Sequence, residues 1–159
     1  MSNENVKIRS ANENDLDAIN QVIEQAVMGW QLPERVKRLA LPGYRYNELD
    51  LKYFTLIIVE RNNSIVAVAA WDTDSHQGPK ERNGLLLHGI YVHPEHQRRG
   101  IGGRLLTKLE NVAREQNMDG VLVKAQNDAV AFFLARGLTK LDTQDLQRDY
   151  ENRYWKQLS

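Results

Sequence analysis

Apolar and polar positions recur along the chain with two periods, and the switches between them mark its elements. Val6 and Ile8, with polar neighbours, predict a short first strand. Asn14 or Asp15 can then cap a helix to about Val27, since Leu16, Ile19, Ile23 and Val27 fall on one face. Residues 29–50 read as a mixed segment, with a short helix opened by Pro33 and a loop at Pro42 and Gly43. The β-rich runs FTLIIVE (54–60) and SIVAVAAW (64–71) flank Arg61, Asn62 and Asn63, a hairpin signal. A polar loop over 72–84 leads to LLLHGIYV (85–92), which is apolar on both faces, as in the middle of a covered sheet. Residues 104–116 carry the helical stripe Leu105, Leu106, Leu109, Val112 and Ala113. GVLVKA (120–125) reads as a buried strand and 128–136 as a helix with Gly137 as its C-cap; 138–141 and 150–156 supply the last strands. Strands dominate the first half and β–α–β units the second. The expected fold is α/β, a mixed sheet with helices on both faces, in one domain over 1–159.

Composition narrows the function classes. The chain has no cysteine, which excludes a disulfide scaffold, a thiolate nucleophile and a Cys-based metal site. Lys plus Arg and Asp plus Glu are 21 each, whereas a dedicated nucleic-acid binder shows a basic excess. A nucleic-acid-contacting regulator is therefore disfavoured. The N-terminal stretch is charged throughout, and the longest apolar-leaning run, 85–92, is too short to cross a bilayer. A cytoplasmic protein with no membrane partner is the expectation.

The most informative segment is Gln97, Arg98, Arg99, Gly100, Ile101, Gly102 and Gly103, set between a strong strand and a strong amphipathic helix. Glycines let backbone N–H groups approach a ligand, and the helix start adds unpaired amides and the positive end of its dipole. Together they suit a pyrophosphate, with Arg98, Arg99 and Arg104 adding local positive charge. A solvated strand-to-helix turn would look similar. The run is neither a P-loop nor a Rossmann fingerprint, whose third glycine position is Leu105.

Gln97-x-x-Gly100-x-Gly102, following a strand that ends Tyr91-Val92-x-Pro94, closely resembles the acyl-CoA-binding motif of the GNAT family, the Gcn5-related N-acetyltransferases. The order of elements extends the resemblance, from Ile8, Arg9, Ala11 and Asp15 through the 54–71 hairpin to 126–138. It implies a mostly antiparallel sheet with a splayed parallel pair, 85–92 and 120–125, and acetyl-CoA as co-substrate. The pyrophosphate would sit on amides from Gln97 to Arg104, and the pantetheine arm beside Ile90, Tyr91 and Val92. A second cofactor-contacting unit would include Gln126, Asn127 and Phe133. The resemblance leaves room for a homodimer, for which the chain has no sequence signature.

Acyl transfer to an amine needs a base, an oxyanion donor and an outlet for the thiolate. An alkylammonium titrates near pH 10 and must lose a proton before it attacks. His88 is the candidate base, because some amine acetyltransferases of the family have a catalytic histidine there and an imidazole suits neutral pH. The alternative is a structural histidine beside a bulge at Gly89. Leu86 stands where histone-acetylating members have a glutamate, so that mechanism does not carry over. The N–H of Ile90 is the family-like oxyanion donor. Phe133 stands where many members have a tyrosine acid and cannot donate a proton, which leaves water, Tyr150 or an unassisted departure. With no cysteine to carry the acyl group, direct transfer is favoured over ping-pong. Trp30, Tyr44 and Tyr46 are candidate walls for the acceptor, or else core. Asp72 and His76 could hold a cationic amine or be a solvated loop. His88, His93 and His96 are close in sequence, but H-P-E-H is not the helical H-E-x-x-H spacing, and no metal is expected. The reading is an acetyl-CoA-dependent N-acetyltransferase acting on a small-molecule or peptide amine; its rival is a non-catalytic acyl-CoA-binding sensor.

Overall fold

The computed structural model describes residues 5–72, 74–125, 127–142 and 152–158. They fall into two units, the first running to Ala70 and resuming over Gly89–Leu105, the second formed by Trp71–His88 and the chain from Leu106. Among the described residues the strands are β1 (Val6–Ser10), β2 (Phe54–Arg61), β3 (Ser64–Asp72), β4 (His76–Gln77), β5 (Asn83–Val92), β6 (Gly120–Lys124), β7 (Thr139–Lys140) and β8 (Arg153–Gln157). The α-helices are α1 (Leu16–Met28), α2 (Glu34–Tyr44), α3 (Asp50–Tyr53), α4 (Ile101–Glu115) and α5 (Val130–Ala135).

In the first unit the strand order is β1-β2-β3-β5. Strand β1 lies antiparallel on β2, with Val6 opposite Arg61 and Ser10 opposite Ile57. Asn62 and Asn63 turn the β2–β3 hairpin at φ of 53° and 68°, the left-handed region that asparagine tolerates best after glycine. Helix α1 buries the face the periodicity assigned: Ile19, Ile23 and Val27 are fully inaccessible and pack with Leu56, Ile58, Val68 and Tyr91.

In the second unit β5 continues to β6, β8 and β7, with β4 on β5. The β5–β6 ladder is parallel, from Gly84 opposite Gly120 to Leu87 opposite Val123. The β4–β5, β6–β8 and β7–β8 ladders are antiparallel. Leu86, Leu122 and Trp155 form a buried cluster with Leu141 against it.

Several boundaries differ from expectation. A 3-10 turn, Glu13–Asp15, precedes α1 and is capped by Asn12; Asp15, one of the two expected caps, is the N-cap position of α1 but makes no side-chain capping bond there. The Asn12 side chain accepts from the Asn14 N–H at 2.9 Å, and the Asp15 carboxylate in turn accepts from the Asn12 N–H at 2.8 Å. Helix α2 runs through Pro42 and Gly43 where a loop was expected, because Pro42 falls in its last turn and forfeits a single ladder bond. Helix α4 begins at Ile101, so Gly102 and Gly103 are helical. The expected polar loop over 72–84 contains β4, paired through His76 and Gln77 to Gly84 and Asn83. Helix α5 is shorter than expected: a 3-10 turn, Asn127–Ala129, precedes it, and Gly137 follows at φ 89°.

Candidate active site

The segment after β5 is a turn held by hydrogen bonds. The His93 N–H bonds the Val66 carbonyl at 2.9 Å, tying the strand end to β3. His93 caps the 3-10 turn Pro94–His96, its Nδ1 accepting from the Glu95 N–H at 3.1 Å. The Gln97 amide then reaches back and donates from Nε2 to the Val92 carbonyl at 3.1 Å. Arg98 and Gly100 both take positive φ, 63° and 79°, on either side of Arg99. Backbone with left-handed residues so spaced can turn successive N–H groups toward one side, a geometry that suits an anion. A Cβ added at Gly100 would meet nothing within 4 Å. The Gly100 carbonyl accepts the Arg104 N–H at 3.0 Å and starts α4, whose first amides have no acceptor within the helix.

Side chains around the turn divide by exposure. Gln97, Arg98, Arg99 and Arg104 are exposed. Tyr91, Ile101 and Gly103 are buried. Ile90 and Val92 are half-buried in the first unit, as is Gly102. His88 is exposed on the part of β5 that belongs to the second unit, while Leu86 is buried. Gln126 and Tyr150 lie outside the described residues. Asn127 opens the 3-10 turn before α5, and Phe133 is 2% exposed in the second unit's core.

The three aromatic candidates gather in the first unit. Trp30 meets Tyr44 edge-on at 5.3 Å between ring centroids, and Tyr44 meets Tyr91 at 6.4 Å. Burial pushes the Tyr91 phenol well above its ordinary value, with Tyr44 adding to the rise, so it stays protonated. Trp30 and Tyr44 are half-buried, whereas Tyr46 is 4% exposed. Asn20 holds the Tyr46 backbone on both sides, accepting its N–H at 2.9 Å and donating to its carbonyl at 2.8 Å. Tyr46 is thus core rather than an open wall. Asp72 and His76, in the second unit, are paired with each other.

His93, Glu95 and His96 bring three potential ligand atoms within 4.8 Å. Arg61 Nη1 lies 3.2 Å from His96 Nδ1, and a guanidinium only donates, so that nitrogen accepts and the ring proton sits on Nε2. His93 is in the same state, because its Nδ1 accepts the Glu95 N–H. Burial first, and then the Arg61 charge, holds the His96 imidazole below its ordinary pKa. In both rings Nδ1 is thus taken up by an N–H donor.

Two features lay beyond the sequence. The first unit holds a cavity of about 730 Å³ lined in part by Arg9, Asp15, Gln21, Gln25, Glu60 and His93. Arg9 spends five bonds there: two on Asp15 at 2.8 and 2.9 Å, two on Glu60 at 2.9 and 2.7 Å, and one on the Ser10 carbonyl at 3.1 Å. These account for every donor of a guanidinium, and the Arg9 bonds draw the Asp15 carboxyl below its usual range. Arg9 and Glu60 are 51 residues apart, so local pattern carries no trace of the pair. The other is Lys37, a buried cation on α2 whose ammonium donates to the carbonyls of Met28 at 2.7 Å and Trp30 at 3.3 Å. A lysine in an otherwise polar helical stretch gives no sequence signal of burial.

The chain is similar to known acetyltransferases along most of its length. Over 133 residues it is 27% identical to the L-amino acid N-acyltransferase MnaT of Escherichia coli K12, a match covering 78% of this chain and 73% of that protein. Over 114 residues it is 30% identical to the L-methionine sulfoximine/L-methionine sulfone acetyltransferase of Salmonella typhimurium LT2, covering 67% of this chain but only 63% of that protein's length. Its fold matches the crystal structure of PaiA N-acetyltransferase from Thermoplasma acidophilum in complex with coenzyme A, with a TM-score of 0.76 at 13% identity over 95% of this chain and 97% of that one. The family model for "Acetyltransferase (GNAT) family" matches residues 22–138, from within α1 to the edge of β7. This chain belongs to the GNAT acetyltransferase family.

Proposed function

We propose that the chain transfers an acetyl group from acetyl-CoA to the primary amine of a small, amino-acid-like molecule. The observation that carries this reading is the turn at 97–103: two residues at positive φ, open space above Gly100, and a helix start directly behind. That combination suits a diphosphate. The fold neighbour from Thermoplasma acidophilum holds coenzyme A, and the two curated relatives are named for an L-amino acid and for methionine analogues as acceptors. These names support an acceptor of similar size and chemistry.

In this mechanism the neutral amine nitrogen attacks the thioester carbonyl carbon. A C–N bond forms, the carbonyl π pair moves onto oxygen, and the oxyanion takes a hydrogen bond from the Ile90 N–H. As the intermediate collapses, the C–S bond breaks, coenzyme A leaves as thiolate, and the surplus proton on the attacking nitrogen passes to solvent water, leaving a neutral amide. His88, exposed and on the strand leading to Ile90, is the proposed acceptor of the ammonium proton. Buried Phe133 offers no acid. A thiol of pKa about 8.5 can leave as thiolate and take its proton from water. The absence of cysteine from the chain supports attack by the amine itself.

The test is a thiol-release assay with acetyl-CoA and a panel of amino acids, methionine analogues, polyamines and peptides. Acceptor-dependent thiol release with an amino acid or analogue among the best substrates is expected. Tight coenzyme A binding with no turnover across the panel would favour the sensor reading instead, for which Phe133 is the argument. No binding of coenzyme A at all would overturn both.

A further inference from the structure

The mechanism makes no use of Lys37, although its burial is costly. An ammonium is taken out of water only where strong acceptors replace the lost hydration. Lys37 is 6% exposed and its Nζ meets two carbonyls, those of Met28 and Trp30. Glu34 lies at 3.8 Å on the solvent side. Met28 ends α1, and the chain then turns sharply, with Gly29 N–H on the Ala26 carbonyl at 3.2 Å and Trp30 N–H on the Val27 carbonyl at 3.0 Å. The Trp30 carbonyl also accepts the Leu32 N–H at 3.0 Å. Lysine commonly satisfies the last carbonyls of its own helix; here α2 supplies one to the end of α1. The ammonium thereby fixes the residue whose indole stands edge-on to Tyr44, which in turn meets Tyr91 on the strand carrying Ile90.

We propose that Lys37 is a positioning residue that sets the place of Trp30 and, through it, the fit of the acceptor amine. The inference rests on the acyl-transfer reading only for what the Trp30–Tyr44 wall receives; the clamp itself is independent of it.

Two measurements on the full chain test it, both well below the melting temperature. Indole N–H resonances of ¹⁵N-labelled protein report each of the three tryptophans, with Trp30→Phe assigning the relevant one. In Lys37→Met the Trp30 resonance is expected to shift or broaden while Trp71 and Trp155 keep theirs. The acceptor KM is expected to rise about tenfold with kcat and the acetyl-CoA KM within about twofold, the signature of lost positioning rather than lost chemistry. Lys37→Arg, which retains charged donors, recovers part of the acceptor KM. Should Lys37→Met fail to fold, Lys37→Gln, with two donors on a shorter stem, is read the same way. An unmoved Trp30 resonance, an unchanged acceptor KM, or a fall in kcat and acetyl-CoA affinity of equal size would overturn the proposal. If the wild-type protein acetylates no amine, the acyl-transfer reading fails, and the Trp30 resonance alone decides whether the clamp exists.

Discussion

Gly100 in the first unit and three glycines in the second serve opposite purposes. At Gly100 the backbone lies at φ 79°, and the space a side chain would occupy is empty to 4 Å. Around Trp155, Gly78, Gly84 and Gly120 have no room at all. A Cβ on Gly84 would lie 2.5 Å from the indole, and one on Gly120 would overlap the ring and sit 2.5 Å from the Lys156 carbonyl oxygen. One glycine leaves the surface above it open; the other three are filled by the protein's own tryptophan, which is 5% exposed. The first suits the proposed ligand turn, the second is the pattern of a close-packed core.

The largest effect is expected where the space is filled. Gly120→Ala drives its methyl group into both the Trp155 ring and the Lys156 carbonyl, and a backbone carbonyl cannot swing aside as a flexible side chain would. Gly120 is also laddered on both sides, to Gly84 and Gln157, so its strand has little freedom to retreat. Overpacking of this kind costs about 3 kcal/mol. Thermal and denaturant unfolding should show a lower midpoint with little change in slope. A variant that melts like wild type would mean that the indole has another place to go.

Gly100→Ala should behave in the reverse manner. A left-handed alanine costs about 1–2 kcal/mol, with no clash added. Its main effect should appear in calorimetric titration with coenzyme A, as a loss of at least about tenfold (~1.4 kcal/mol) in affinity, because the methyl group enters the space assigned to the diphosphate. Gly100→Asn, which tolerates positive φ, should recover stability but not affinity. Wild-type affinity in both variants would place the ligand elsewhere.

This contrast also marks what could be read in advance. The glycine turn and the Asn62–Asn63 hairpin were legible because each is local: contiguous residues with a restricted set of backbone conformations, between two elements of clear period. The Trp155 cradle was not, because its glycines come from three separate segments and only the folded sheet brings them to one ring. The same holds for Arg9 with Glu60 and for Lys37 with the end of α1, where polar residues find partners that no spacing rule encodes. Aromatic residues in a mixed segment could be wall or core. Tyr46 became core once Asn20 bound its backbone, while Trp30 and Tyr44 stayed half-open. Pro42 misled in the other direction, since the breaker signal ignores how near a helix already is to its end.

The smallest predicted effect separates the shape of the ligand turn from its glycine. Gln97 donates to the Val92 carbonyl across the exposed side of the turn, joining the end of β5 to the residues that lead into Arg98 and Gly100. An exposed neutral hydrogen bond contributes about 0.5–1 kcal/mol, so Gln97→Leu should lower the melting midpoint only slightly. If this bond holds the amides in register before a ligand arrives, coenzyme A affinity should still fall about two- to fivefold, since ordering the turn then becomes part of binding. Gln97→Glu, which sets a carboxylate against a carbonyl beside the proposed anion site, should lose more. An affinity untouched by Gln97→Leu would mean that the positive-φ backbone at Arg98 and Gly100 keeps its shape unaided, and that the difference between the open glycine and the three filled ones lies in the main chain alone.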